Sequence, residues 1–166
     1  FLTATNALKR CPEDRSDFRA TLLHTMGTAQ FKRGELGEAA VMFDEGMQLA
    51  RRPGQQLSLV ISFLIGKGQL SCARADIRNG LSLLMEALRK AERGQLVASQ
   101  VDALEALTKA HQQAGDAKMA TYYAAQHAAL VQKLGIERSK LQVRVSKVEP
   151  VVADLRAQWL TKLRLA

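Results

Sequence analysis

The chain has 166 residues, 47% of them hydrophobic and only 5% aromatic, with three prolines and a formal charge of +8. This is about one domain's worth of chain, with enough apolar material for a continuous core and room for long helices. No apolar run approaches the roughly 18 residues that cross a bilayer, and Cys11 and Cys72 have neither metal-ligand spacing nor the makings of a disulfide framework, which points to a reducing, cytoplasmic setting.

In chain order, Phe1 to Cys11 reads as the end of a helix, with Phe1, Ala4 and Leu8 on one stripe and Pro12 as its stop. A chain that opens on Phe1 is expected to be a piece of a longer protein. Ser16 or Asp17 is placed to cap the next helix. From Phe18 to Lys32, Leu22, Leu23, Met26, Ala29 and Phe31 follow helical spacing. Gly34 suits the left-handed position that ends such a helix. Leu36 to Arg51 is the partner, with Ala39, Ala40, Phe43, Met47 and Ala50 inward, and Pro53-Gly54 breaks the chain. A second pair follows as Leu57 to Ala73 and Asp76 to about Glu92, with Leu81, Leu84, Ala87, Leu88 and Ala91 inward. Arg93-Gly94 makes the turn, and the third pair is Leu96 to Ala114 and Asp116 to about Leu134, split by Gly115.

One stretch recurs through these pairs. Gly34-Glu35-Leu36 to Phe43, Ala75-Asp76-Ile77 to Leu84 and Gly115-Asp116-Ala117 to Ala124 each place a small residue and an acid before a helix. They repeat at intervals of about 40 residues, a period that marks stacked-repeat architectures. In such arrays each pair touches mainly its neighbours, and stacking completes the core.

The pattern resembles the tetratricopeptide repeat. Leu23, Met26 and Gly27, then Gly34, Ala39 and Phe43, match its motif in the first pair; Gly68, Ala75, Gly80, Leu84 and Ala87 match it in the second, Gly115 and Ala120 in the third. Small residues recur because helix axes approach closely only where side chains are small. The chain departs from the pattern at Gln30, Ser71 and His111, where tyrosine is common, at Lys67 in a usually apolar place, and at Thr108 and Ala124. The resemblance implies an all-α superhelical solenoid over residues 1–134, a half repeat plus three helix pairs.

Residues 135–166 differ. Gly135 is expected to end the third pair. Leu141, Val145, Val148, Val152, Leu155, Trp159 and Leu163 then follow in steps of four, three, four, three, four and four, nearly a heptad seam. Either this is a helix that pairs with a second chain, giving a homodimer, or it caps the last repeat. Pro150 falls outside the seam.

Catalytic chemistry is not expected. His24, His111 and His127 are far apart in sequence, Gly66-Lys67-Gly68 lacks the form of a phosphate loop, and no metal or cofactor set is visible. Cys72 reads as a buried thiol. The resemblance makes the concave groove the binding site. Its positions transfer to Thr21, His24, Thr28, Phe31 and Lys32 in the first repeat, Ser62, Ile65, Gln69 and Cys72 in the second, and Asp102, Glu105, Lys109, Gln112 and Gln113 in the third. Protein or peptide is the expected partner class. Acids and bases interleave along most of the chain, and the basic tail lacks a recognised motif or basic-aromatic interleaving, so nucleic acid is not expected. Repeats that run into a heptad helix are similar to the sensory regions of bacterial signalling proteins, diguanylate cyclases above all. A sensing region of a transcription activator and a plain adaptor in transport or assembly are the alternatives.

Overall fold

The computed structural model describes residues 16–164, with side chains up to Ser139 and at Gln142. Six helices account for most of it: α1 (Ser16–Lys32), α2 (Leu36–Ala50), α3 (Leu57–Ala73), α4 (Ile77–Arg93), α5 (Val97–Gln113) and α6 (Ala117–Arg164). There is no strand among the described residues. The expected half repeat, Phe1 to Cys11, lies outside them. The chain divides into two compact units, one ending at His127 and the other beginning at Ala128.

Five left-handed residues punctuate the first unit: Gly34, Gly54, Ala75, Gln95 and Gly115. They recur every 20 or 21 residues, so one helix plus one turn is the true module. Four of the turns are built alike. The residue after each left-handed one sends its N–H back five positions, from Glu35 to Gln30, Asp76 to Ser71, Leu96 to Ala91 and Asp116 to His111, at 2.9–3.0 Å. This is the Schellman closure, which satisfies carbonyls that a helix end leaves open. Gly34 fills the left-handed site as expected, and Gly115 fills it in the third pair. In the turn between α4 and α5 it is Gln95, at φ 52°, that takes it, while Gly94 keeps the helical conformation at φ −81°. A side chain at Gly94 would meet Leu57 Cδ2 at 2.8 Å.

The acid that follows three of these residues has a visible job in two. Asp76 Oδ1 accepts from Asn79 N at 3.3 Å and Asp116 Oδ1 from Met119 N at 3.1 Å. Each closes one of the unpaired N–H groups that begin a helix. Glu35, one methylene longer, caps nothing. Ser16 and Asp17 both fall inside α1, and Ser16 Oγ instead accepts from Gln55 Nε2 at 2.9 Å.

Packing follows the pairing: α1 lies on α2, and α3 on α4. Then α1 meets α3 and α3 meets α5, while α2 and α4 make no close approach. The odd-numbered helices therefore line the inner side of this unit. α3 touches α1, α2, α4 and α5, which is why its sequence, Leu57-Ser-Leu-Val-Ile-Ser-Phe-Leu-Ile, is apolar almost all round. One core runs through the unit, from Ala20 and Leu23 past Phe43, Met47, Ile61, Phe63 and Leu64 to Ala87, Ala91 and Ala103.

Glycine sets the helix crossings. A methyl group on Gly27 would lie 2.7 Å from the Phe43 ring, on Gly46 2.2 Å from the Phe63 ring, and on Gly68 2.7 Å from Leu84. At Gly80 it would sit 2.3 Å from Cys72 Sγ and 2.8 Å from the Gly68 carbonyl oxygen. In the third pair Thr108 stands where the first two have glycine, and exposed Ala124 where they have Phe43 and Leu84. The three positions that depart from tyrosine hold the turns with polar groups. Gln30 donates to Glu38, Asn79 Nδ2 donates to Ser71 Oγ at 3.1 Å, and His111 Nδ1 lies 3.3 Å from Asp116 Oδ2. Lys67 leaves the apolar interior by pairing with Asp44 on α2 at 2.6 Å.

In the second unit the backbone is the continuation of α6. Gly135 and Pro150 both lie inside this helix, so Gly135 does not end it; an internal glycine costs a helix only about 1 kcal/mol. Val131, Leu134 and Ile136 are exposed. The side chains of Leu141, Val145, Val148, Val152, Leu155, Trp159 and Leu163 lie outside the described residues.

Candidate functional site

The inner side formed by α1, α3 and α5 carries two adjoining depressions. One, of about 270 Å³, is lined by Thr28, Phe31 and Lys32 from α1, Gln69, Cys72 and Ala73 from α3, Leu84 from α4, and Ala106, Lys109, Ala110 and Gln113 from α5. The other, of about 210 Å³, is lined by His24 and Thr28, by Ser62, Ile65, Gly66 and Gln69, and by Asp102 and Glu105. Thr28 and Gln69 form their common wall. Twelve of the fourteen expected groove positions thus fall on these two surfaces. Thr21 and Gln112 do not; both are exposed, and Thr21 Oγ1 bonds the Asp17 carbonyl of its own helix at 3.0 Å.

The floor of the larger depression escaped the sequence reading. Leu84, Ala106 and Ala110 have the spacing of core residues, and nothing local distinguishes a core alanine from one at the bottom of a hollow. A third depression, of about 410 Å³, lies on α1 and α2 among Arg19, Glu45, Gln48, Leu49 and Arg52. It contains none of the expected residues, and the Arg19–Glu45 ion pair at 3.0 Å forms part of its lining.

His24 belongs to the packing as much as to the surface. Its ring stands edge-on to Phe63 with centroids 5.2 Å apart and tilted to Phe43 at 6.0 Å. Its Nε2 lies 3.3 Å from the Ser62 carbonyl oxygen, to which the neutral ring donates in the Nε2–H tautomer. Burial lowers its pKa, against a smaller upward pull from that carbonyl. Cys72 is buried against Gly80, and burial first, then the Asp76 charge, pushes its thiol up. A thiol held protonated is a poor nucleophile.

The polar groups of the site differ in what they have free. Thr28 Oγ1 donates to the His24 carbonyl at 2.9 Å, and Ser62 Oγ to the Ser58 carbonyl at 3.1 Å. Both hydroxyl protons are spent inside the helices, so the two oxygens present lone pairs outward. The Gln69 side chain makes no hydrogen bond among the described residues, leaving an amide with donors and an acceptor between the two depressions. Lys109 Nζ and Glu105 Oε1 are 2.5 Å apart, four residues along one helix face. The hydrogen bond from Lys109, then its charge, lowers the Glu105 pKa. Asp102 has no such partner; burial and then Glu105 raise its pKa, against the pull of His127. Among the described residues no group of three His, Cys, Asp or Glu side chains is placed to hold a metal ion.

Compared with protein-family models, with curated proteins and with solved structures, the chain matches none. Its function therefore has to be read from this geometry.

Proposed function

We propose that the chain is a non-catalytic module that binds protein or peptide along the α1–α3–α5 face, built on a tetratricopeptide-like scaffold. The observation that carries this is Gln69. It is a free amide on the wall between two depressions, flanked by the outward lone pairs of Thr28 and Ser62. Unspent donors and acceptors beside an apolar hollow suit a main chain with a side chain to bury. Burial and the Asp76 charge keep the Cys72 thiol protonated, so it is not an activated nucleophile. We further propose a regulatory role, with the heptad positions from Leu141 to Leu163 pairing two copies, as in the sensory region of a signalling protein.

Two measurements test the reading. Gln69→Trp fills the wall between the depressions and is expected to abolish binding of any peptide selected on the wild-type chain, with the helical circular dichroism unchanged. Unaltered binding would refute the site. Sedimentation at tens of micromolar is expected to show a dimer that Val148→Asp/Leu155→Asp converts to monomer. A strictly monomeric wild-type chain would refute the pairing.

A further inference from the structure

The two depressions differ in charge, and the difference has a direction. Lys32 stands at the edge of the apolar one and makes no ion pair among the described residues, and Asp102 stands at the edge of the other with neither hydrogen bond nor ion pair. Between them the Lys109–Glu105 pair is oriented in the same sense, lysine in the Lys32 hollow and carboxylate in the Asp102 hollow. The separation follows from the repeat. The left-handed residues Gly34, Ala75 and Gly115 align Asp102 on α5 with Thr21 on α1, eleven residues before Lys32. At 1.5 Å per residue that is about 16 Å along the helices. α3 lies between α1 and α5, which adds about 18 Å across at about 9 Å per neighbouring helix. The two charges are therefore about 24 Å apart, a span that an extended strand of about 3.3 Å per residue covers in about seven residues. The unbonded Gln69 amide lies on that path, where an extended main chain offers it N–H and C=O groups. The hollow beside Lys32 is floored by Leu84, Ala106 and Ala110.

We infer that the ligand is an extended peptide segment of fixed polarity: an acidic residue facing Lys32, a basic residue about seven positions away facing Asp102, and an apolar side chain between them seated over Leu84. This rests on the peptide-binding reading above and adds its sequence and direction. The Ser62 and Thr28 oxygens, acceptors only, agree with a cationic group at the Asp102 end. His24 and His127 are the other titratable groups near that end, and the neutral His24 imidazole does not compete for the carboxylate.

The test selects dodecapeptides from a random phage-displayed library on the immobilised full chain, at low salt, and then measures each selected peptide on the Gln69→Trp chain. Expected are sequences with an acid and a base about seven positions apart around an apolar residue. Lys32→Glu and Asp102→Lys alter exposed side chains and leave the fold intact. Each is expected to weaken the selected peptide about fivefold, the scale of an exposed ion pair turned to repulsion, and to be rescued by reversing the facing charge in the peptide. Peptides that depend on Gln69 but bind both charge variants within about twofold overturn the inferred polarity and leave the groove reading standing. No enrichment, or peptides indifferent to Gln69→Trp, overturns both.

Discussion

A methyl group distinguishes the two kinds of glycine in this chain. Gly80→Ala and Gly37→Ala are the same substitution in consecutive second helices, and the structure gives them opposite signs. At Gly37 nothing lies within 4 Å of the added carbon. The gain is the alanine helix preference, about 0.5 kcal/mol this near a helix start. At Gly80 the added carbon meets Cys72 Sγ at 2.3 Å, the Gly68 carbonyl oxygen at 2.8 Å and Cys72 N at 3.1 Å. The sulfur can rotate away, but the two backbone atoms belong to α3 and move only if the helix moves. Separating the α3–α4 crossing by about half an ångström forfeits a quarter to a half of each contact there. With overpacking at about 3 kcal/mol and about 1 kcal/mol returned by helix preference, Gly80→Ala should lose about 2 kcal/mol. Urea unfolding followed by circular dichroism at 222 nm measures both variants. The double variant Gly80→Ala/Cys72→Ala isolates the backbone contribution and should recover less than half of the loss. A Gly80→Ala chain within about 0.5 kcal/mol of wild type would refute the view that close backbone approach sets this crossing.

Other outcomes follow from the turns and the buried groups. Gln95→Gly relieves a left-handed side-chain residue and should stabilise by about 1 kcal/mol, whereas Gly34→Ala should destabilise by about as much; thermal or urea midpoints that move the other way would sink the reading of these turns. His24 has a lowered pKa in the folded chain, so the unfolded chain holds more protons between the two values. Its contribution is whole above its ordinary value near 6.5 and is lost as pH falls through the lowered folded value. The fall in melting temperature between pH 7.5 and 5.5 should therefore be smaller in His24→Gln than in wild type, and an equal fall would contradict it. In a Cys11→Ser background, native Cys72 should react with a disulfide reagent at least about tenfold more slowly than in urea, because burial disfavours its thiolate; equal rates would show the thiol to be open.

Helix periodicity was legible from the residues alone because each helix buries one stripe. The spacing of Leu23, Met26, Phe43, Met47, Leu84, Ala87 and Ala91 led to their burial and, for the first five helices, to boundaries within a residue or two of those observed. The inner-face positions were legible because a repeat transfers them from one helix to the next. What escaped was set by contacts distant in sequence. Gly94 looks like the left-handed residue of its turn, but it lies one place earlier in the helical conformation, and Gln95 takes the strained position. Gly46 and Gly66 look like weak points in helices, yet they receive the Phe63 and Phe43 rings. Nothing near either glycine in sequence names the ring that fills it. Gly135 looks like a stop, but with no left-handed turn built around it the helix continues.

The even spacing of the left-handed residues from Gly34 to Gly115 bears on how such a chain can change in length. The Schellman turn within each pair also joins the second pair to the third, so at that junction the backbone does not mark where a pair begins. Excising one module of 20 residues would leave the flanking turns intact yet swap every later inner helix with an outer one, turning the face that carries Gln69 inside out. Excising two would restore the phase. A chain of this construction can therefore lengthen or shorten in even numbers of helices and keep its binding face, while a single added helix disables the face without breaking one turn.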